Sequence, residues 1–525
     1  DPVAVAVAEA RWQVGSEARA LFDLLVHLPG GAGAPLADAL VAELDTARDP
    51  SITDRVSTAD RIATERSRSV RELVRASLLV TAPGPDGLRH RALAPVSEQR
   101  LLQARAHDAD PTRTMRTVSA WAQRHTQRSF FDVPNRAAIE AAIAERLNLD
   151  AALAWLDAHD PPEMLSLAVA LGDVWGGSGR AVEGHWWIQR GLALTGASGV
   201  ERLAAIVALV NSRGIGHAAA SAPLVLEAAA LLDRLPDVPD SLRATIWCQR
   251  AVARGWRGDL SGMSADFAAA RALAARAESA WFLTVLDQLE GLSGVLTGHP
   301  VEGIAQCERA ALRFLELGDG DGAVVAYHFA AVVARMAGLP GRGRLVDAAD
   351  ELTPVHGTAV TRALIAGERA RLVLEGADTH EVGGSAVAAL TEAILLIEQG
   401  GNLHNAAMAR RDLGLLHLRA SRLDAARLEL VTAASRLLPQ DPSAAAVALG
   451  GLAALEGGPR SRAAALARGL LATGVGTPVS PQDRDLLARY AEPAPPGAAL
   501  IGAEVVDAAT AFLGDCALVS GAEIA

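Results

Sequence analysis

Histidine and cysteine are the residues best suited to metal binding or nucleophilic chemistry, and their spacing in this chain predicts neither. The segment THEV at residues 379–382 has no second histidine four residues after the first, so it lacks the HExxH pattern of zinc proteases. His299 and Cys307 stand eight residues apart without a second pair of ligands, whereas a structural zinc site needs four. We therefore expect no metal, no cofactor and no catalytic residue in this chain.

Three glycine-rich segments resemble ligand-binding loops but miss the residues that would bind. GDGDG at 318–322 opens like a calcium loop, yet Ala323 stands where a ligand is needed and no glutamate closes the loop. WGGSGR at 175–180 has Arg180 in place of the last glycine of a GxSxG nucleophile turn. A dinucleotide-binding loop comes directly after a strand, whereas no predicted strand precedes GLPGRGRLVD at 338–347. We interpret all three as turns between helices.

The charged residues exclude further classes of protein. The chain contains no lysine, so all 49 basic residues are arginine, and a P-loop lysine, a Schiff-base lysine and a lysine general base are excluded. The net charge is −12, whereas a protein that grips phosphates along its surface is usually basic. We therefore expect no direct contact of these segments with nucleic acid.

Cysteine usage and hydropathy indicate the compartment. The three cysteines, Cys248, Cys307 and Cys516, are odd in number and far apart, which favours a reducing environment over a disulfide framework. Arginine, aspartate or glycine interrupts each long apolar run before it reaches membrane-spanning length. We expect a cytoplasmic location without a membrane segment. Because the chain begins with Asp1 and not methionine, we also expect it to be a piece of a longer protein.

The elements that would position any site are helices. Alanine and leucine dominate a chain with only 4% aromatic residues, which predicts an all-α or nearly all-α fold. Between apolar helices, small residues recur about every 40 positions, as in helix–turn–helix repeats. These residues are Gly179, Gly216, Gly258, Gly298, Gly338, Gly376, Ser421 and Gly457. The pattern predicts a right-handed α-solenoid of about eight helical hairpins over residues 136–477. Its spacing exceeds the tetratricopeptide standard of about 34 residues, so a HEAT-like arrangement stays open.

The segments that flank this repeat differ from it. Short helices followed by strand-like residues near 80, a turn at 81–87 and a second strand predict a winged-helix-like domain over residues 1–105. Residues 106–135 are interpreted as a helical connector. Residues 478–525 are interpreted as a proline-rich linker and a C-terminal helix, Val505 to Leu513, that caps the repeat.

Three tryptophans, Trp247, Trp256 and Trp281, lie in consecutive predicted hairpins and are candidates for a ligand groove. Aromatic side chains dominate recognition at many protein surfaces, but they also fill helical cores. Sequence alone leaves both interpretations open.

Two segments carry a resemblance to a known family. ERLNLDAALAWL at 145–156 resembles the E-x-x-N-L-x-x-A-L-x-W segment that opens the tetratricopeptide region of STAND-class ATP-dependent transcriptional regulators, with matches that include Asn148, Leu149 and Trp155. Residues 171–194 are similar to a second segment of that family, which includes actinobacterial antibiotic regulators and large LuxR-type proteins. The matches there are Trp175, Gly179, Glu183, Gly184 and Trp187, while Ser178 replaces the family's arginine.

The resemblance extends to residues 18–40 and 73–101, which are similar to the family's winged-helix module, although Ser97 replaces the usual arginine. The resemblance implies that this chain is the regulatory or sensor module of a STAND-type transcriptional regulator, which acts as a switch. A protein, peptide or small-molecule effector would bind the solenoid groove and control an NTPase domain, and ATP would bind only that domain, which this lysine-free chain does not include. Self-association through the full-length regulator is a further expectation.

Two other functions remain open at this stage. The first is a free-standing tetratricopeptide-type scaffold for protein–protein interaction, which would use the same hairpins without a switch. The second and weaker one is an enzyme built on an α-solenoid or α/α toroid, which would need paired carboxylates in a central cavity.

Overall fold

The computed structural model of the chain is mostly helical, with 81% helix and 3% strand, which confirms the predicted all-α character. It describes residues 2–48, 55–84, 87–93, 111–213, 218–376, 384–399, 403–439, 441–456, 461–472, 479–490 and 503–520. The helices and strands form two compact units. The first comprises residues 1–128, 135–174 and 184–205, and the second comprises 129–134, 175–183 and 206–525.

The N-terminal part of the chain contains the two strands. In chain order its elements are α1 (Pro2–Gln13), α2 (Ser16–Leu25), α3 (Ala34–Arg48), α4 (Arg55–Arg75), β1 (Leu79–Gly84), β2 (Gly87–Ala92), α5 (Thr112–Thr126), α6 (Arg136–Ala144), α7 (Arg146–His159), α8 (Pro161–Ala170), α9 (Gly172–Gly177), α10 (Ala181–Thr195) and α11 (Gly199–Arg213).

The two strands form an antiparallel hairpin with Leu79 opposite Ala92 and Gly84 opposite Gly87. The sequence predicted this hairpin, but the strands extend to Gly84 and Gly87, well inside the predicted turn. Helices α2, α3 and α4 enclose a core with Leu21, Phe22, Leu36, Leu40 and Leu73 fully buried, and both α5 and the hairpin contact this group of helices. Residues 94–110, at the junction of the predicted winged-helix-like domain and the predicted connector, fall outside the described residues.

The rest of the chain is a succession of helices: α12 (Ala218–Leu232), α13 (Asp240–Trp256), α14 (Leu260–Arg276), α15 (Ala280–Leu292), α16 (Gly294–Thr297), α17 (Pro300–Glu316), α18 (Gly320–Ala337), α19 (Arg342–His356), α20 (Ala359–Gly376), α21 (Gly384–Gln399), α22 (Leu403–Arg419), α23 (Leu423–Leu437), α24 (Pro442–Leu455), α25 (Arg462–Ala472), α26 (Pro481–Tyr490) and α27 (Ala503–Ser520). From α12 to α25, neighbouring long helices pack on each other, and the short connections make them helical hairpins.

Turn residues stand where the sequence predicted them. Gly179, Gly258, Gly298, Gly338 and Ser421 all have φ between 56 and 83°, the left-handed conformation that ends a helix. Gly376 is the last residue of α20, while Gly216 and Gly457 lie outside the described residues. Several of the following helices begin with a side-chain cap, for instance Asp259 on the amide of Gly262 and Asp319 on that of Gly322.

Small residues allow close helix packing within the second unit. A Cβ atom on Gly303 of α17 would lie 2.4 Å from the carbonyl oxygen of Gly291 on α15, so both positions exclude a side chain. Beyond sequential neighbours, α18, α20, α22 and α24 also contact one another in that order, and α26 packs on α24. We call α18, α20, α22 and α24 the inner row.

No helix among the described residues is long and apolar enough to cross a membrane.

Candidate ligand-binding site

The signature residue Asn148 lies in a buried polar cluster of the first unit. Its side chain accepts a hydrogen bond from the amide of Gly30 at 3.0 Å and donates to the carbonyl oxygen of Gly31 at 2.5 Å. Glu145, one helical turn earlier, accepts from the amide of Gly33 at 2.7 Å and from Arg89 Nη2 at 2.7 Å. Glu145 and Asn148, both in the segment that carries the family resemblance, thus hold the backbone of the 29–33 loop by hydrogen bonds. We call this structural arrangement the Asn148 clasp.

The remaining signature residues are divided between the two units. In the first unit Leu149, Gly184 and Trp187 are buried, and the partly exposed Trp155 stacks on His159 with ring centroids 4.3 Å apart. In the second unit Gly179 forms a turn, Trp175 is buried, and Arg180 binds Glu183 at 2.8 Å and lies over the Trp175 ring. These positions stabilise helices and turns.

The three candidate groove tryptophans also serve packing where the structure describes them. Trp281 is partly buried, and its Nε1 donates to Asp319 Oδ2 at 2.7 Å, the same aspartate that caps α18. Trp247 packs, partly buried, against the apolar cluster of α13, α14 and α15. Helix α13 ends at Trp256, but the side chain of that residue lies outside the described part of the chain. Whether Trp247 or Trp281 also contacts a ligand stays a prediction.

The glycine-rich segments lie at helix junctions. Gly318, Gly338 and Gly341 have left-handed φ values, and α18 and α19 begin directly after these turns. Within the described residues, no group of three or more histidine, cysteine, aspartate or glutamate side chains is arranged to hold a metal ion. The THEV segment at 379–382 lies outside them.

A buried group of charged residues that the sequence did not single out lies on the inner row of the second unit and on the adjoining helix α19. At one end, Glu368 on α20 lies between two guanidinium groups. Its Oε1 is 3.6 Å from Arg335 Nε on α18, and its Oε2 is 3.7 Å from Arg342 Nε on α19. All three side chains are at most about one-eighth exposed. These separations bring charges together without the short contact of a hydrogen bond.

At the other end, Arg371 on α20 grips two carboxylates from different helices. Its Nη1 donates to both oxygens of Asp412 on α22 at 2.7 and 2.8 Å, and its Nη2 donates to Asp483 Oδ1 on α26. Arg411 Nε donates to Asp412 Oδ1 at 2.9 Å, and Ser480 Oγ donates to Asp483 Oδ2 at 2.8 Å. We call Arg335, Arg342, Glu368, Arg371, Arg411 and Asp412 the arginine cluster.

The arginine cluster brings four arginines together with two carboxylates, and Asp483 of α26 adds a third carboxylate. The adjacent His328 adds no further positive charge, because burial lowers its pKa. Holding guanidinium groups together in a buried place is costly, and a bound anion would reduce that cost.

The pKa shifts follow from this arrangement. Burial lowers the pKa of Arg335, against the opposing attraction of Glu368. Burial alone would raise the pKa of Asp483, but the positive charges of Arg371, Arg411 and Arg335 hold it well below its usual range. Burial alone would also raise the pKa of Glu368, but Arg335 and its other charged neighbours lower it, so both carboxylates are held as anions.

Three buried polar atoms in the same part of the second unit lack a hydrogen-bond partner among the described residues. They are Arg335 Nε, Glu368 Oε2 and Nδ1 of His328, which lies two helical turns before Arg335 on α18. Native structures satisfy most buried polar atoms, so such a concentration indicates an incomplete site. Together with the converging arginines, it makes the arginine cluster the strongest candidate for binding an anionic group.

Comparison with protein-family models and with curated proteins finds no match for this chain.

Proposed function

We propose that this chain is an effector-receiving regulatory module and that the arginine cluster receives an anionic group of the effector. The single observation that carries the proposal is the convergence of buried arginines from α18, α20 and α22 of the inner row beside Arg335 Nε and Glu368 Oε2, which have no hydrogen-bond partner among the described residues. Each of these helices comes from a different hairpin, so a bound anion would bridge hairpins. A ligand that binds one arrangement of the hairpins better than another shifts the balance between them, which is the physical basis of a switch.

The wider setting is the one that the sequence resemblance implies. We propose that the hairpins form a tetratricopeptide-like α-solenoid, preceded by a winged-helix-like domain, in a STAND-type transcriptional regulator. Recurring left-handed turns, two-helix intervals and the clasp around Asn148 support that proposal. In such a protein the effector would be a protein, peptide or small molecule, and ATP hydrolysis would belong to an NTPase domain outside this lysine-free chain.

Thermal unfolding tests the binding role. Wild-type protein and Arg371→Gln are heated in chloride and then in acetate, citrate, phosphate or short acidic peptides at equal ionic strength. We expect at least one anionic probe to raise the Tm of wild type by about 2 °C or more above its effect on Arg371→Gln, since a ligand that binds only the folded state stabilises it. Equal shifts in the two proteins for every probe would refute the proposal.

An ATP hydrolysis assay on the same preparation tests the absence of catalysis. We expect phosphate release no faster than in a protein-free blank, because the chain has no lysine for a P-loop. Turnover that co-purifies with the chain would contradict the regulatory-module assignment.

A further inference from the structure

The buried atoms that lack a hydrogen-bond partner among the described residues include a donor and an acceptor side by side. Arg335 Nε on α18 can only donate, whereas Glu368 Oε2 on α20 belongs to an ionised carboxylate and can only accept. Nδ1 of His328 donates or accepts according to the tautomer of its neutral ring. A simple anion offers acceptors alone, so it would satisfy Arg335 and leave Glu368 without a donor. The site therefore asks for more than negative charge.

The three side chains lie together where α18 packs against α20. His328 and Arg335 are two helical turns apart, so they project from the same face of α18. Glu368 lies opposite this face. Its Oε1 is 3.6 Å from Arg335 Nε, and its charge also acts on His328. A separation of 3.6 Å is too long for a direct hydrogen bond, so Arg335 and Glu368 are placed to bind one further group together.

This site lies near the surface of the second unit. The side chains of Arg335 and Glu368 are 12% and 9% exposed, so a small molecule has only a short way to travel from solvent. A buried donor and a buried acceptor without partners both weaken the folded state, and a ligand that pairs with both removes that penalty. Binding would therefore favour a ligand that carries an acceptor and a donor on neighbouring atoms.

The charges around Glu368 decide which donor suits it. Arg342 Nε on α19 lies 3.7 Å from the same Oε2 atom, and Arg335 lies beside the other oxygen of the carboxylate. A ligand ammonium would bring a third positive group next to these two guanidinium groups, whereas a hydroxyl donates a hydrogen bond without adding charge. A hydroxyl therefore fits this position better than the ammonium of an amino acid.

We propose that the effector group bound here is a hydroxycarboxylate, that is, a carboxylate with a hydroxyl on the neighbouring carbon. The carboxylate accepts from Arg335 Nε, and the hydroxyl donates to Glu368 Oε2 while its oxygen accepts from Nδ1 of His328. The two ligand groups must be neighbours because Arg335 and Glu368 approach within 3.6 Å. This inference rests on the proposed function and names the chemical class of the effector's anionic group.

Matched acids test the inference on the wild-type chain without any variant. Glycolate, L-lactate and L-malate are titrated by calorimetry beside acetate, propionate and succinate, which lack only the hydroxyl, at pH 7.5 and equal ionic strength. We expect each hydroxy acid to bind at least about tenfold more tightly than its counterpart, because the counterpart leaves buried polar atoms unpaired. Equal affinities within the pairs, or no binding of any hydroxy acid, would overturn the inference.

Two variants separate the two ligand groups. Arg335→Gln removes the partner of the carboxylate and should weaken both acids of a pair by at least about tenfold. Glu368→Met removes the acceptor of the hydroxyl, so the preference for the hydroxy acid should fall below about twofold. Arg369→Gln, on an exposed arginine of α20, is the control and should leave affinity and preference unchanged. If Glu368→Met has a native circular dichroism spectrum and keeps the full preference, the inference is wrong. If that variant does not fold, the matched acids on wild type decide.

Failure of this inference is distinguishable from failure of the proposed function. If acetate or succinate raises the Tm of wild type more than that of Arg371→Gln, while no hydroxy acid binds better than its counterpart, only this inference falls. If no anionic probe separates wild type from Arg371→Gln, the proposed function falls as well.

Discussion

Arg371 and Asp483 form a buried ion pair between residues 112 positions apart in the sequence. The pair joins α20 of the inner row to α26, and the same guanidinium holds Asp412 of α22 through its other nitrogen. Three helices therefore converge on one side chain. Removing one partner of such a pair leaves a buried charge without compensation, which typically costs about 3–5 kcal/mol.

The Asn148 clasp should be a major stabiliser of the first unit. Asn148→Ala leaves the partly buried amide of Gly30 without its acceptor and removes the short bond to the buried carbonyl of Gly31, which keeps only the longer one from Arg89. We expect the free energy of unfolding to fall by about 2–3 kcal/mol, measured by urea unfolding. Asn211→Ala, at an exposed asparagine, should cost less than about 0.5 kcal/mol. Equal losses would show that the clasp adds nothing special.

The contact between α15 and α17 should not tolerate a methyl group. Gly303→Ala places a Cβ 2.4 Å from the backbone oxygen of Gly291, so the two helices must separate, and we expect a loss of about 2 kcal/mol or more. Gly343→Ala is the matched control, because nothing lies within 4 Å of its Cβ position. It should be neutral or stabilising by up to about 1 kcal/mol. Chemical denaturation of both variants distinguishes them, and similar values would contradict the packing.

The free energy of unfolding of the second unit should decrease when the pH falls below 6.5, the usual pKa of histidine. Burial lowers the pKa of His328, with Glu368 opposing and Arg335 assisting, and burial likewise lowers that of His404 despite Asp441. Near pH 6.5 the unfolded chain therefore binds protons at these histidines that the folded chain does not bind, so the free energy of unfolding decreases as the pH falls through 6.5. Urea unfolding at pH 7.5 and 5.5 should show this loss, and His328→Leu should reduce it. If the variant loses as much free energy of unfolding between pH 7.5 and pH 5.5 as wild type does, His328 does not contribute to the loss.

Cys248 and Cys307 should resist alkylation. Burial raises the pKa of both thiols to about 12, with nearby glutamates adding to the effect, so almost no thiolate exists near neutral pH. We expect iodoacetamide at pH 8 to modify them at least about a hundredfold more slowly in the folded protein than in urea. Peptide mass spectrometry gives the two rates, and rapid labelling of the native protein would show that the helices around them open readily.

Local patterns in the sequence predicted the helices and turns because they depend on nearby residues. A left-handed turn needs a residue such as glycine at one position, so Gly258, Gly298 and Gly338 could be recognised one by one. The core-facing side of a helix is harder to predict from local patterns. On α15, Trp281 and Val285 are only partly buried, whereas Phe282 and Leu286, one residue further along, are buried. A shift of one residue rotates the predicted buried face of a helix by about 100°. Tertiary packing decides which face is buried.

The candidate site could not be predicted, because its residues come together only in the folded chain. Arg371 meets Asp412 and Asp483 across 41 and 112 residues, and no local spacing marks them among 49 arginines. Helix α26 was missed for a different reason. It has ten residues beside a proline-rich stretch, and its described buried face consists of little more than Asp483 and Leu487. Trp247 and Trp281 were noticed by residue type, and the structure shows their packing, while their contact with a ligand stays a prediction.

Hydrogen exchange of the α26 amides, residues 481–490, tests the central claim most directly. Asp483→Asn and Asp485→Asn make the same chemical change on one helix, at a buried and an exposed carboxylate. If the arginine cluster is a carboxylate-binding site, Asp483→Asn should reduce protection of α26 by at least about tenfold, or about 1.4 kcal/mol, while Asp485→Asn changes it less than about twofold. Equal protection in the two variants would contradict the account.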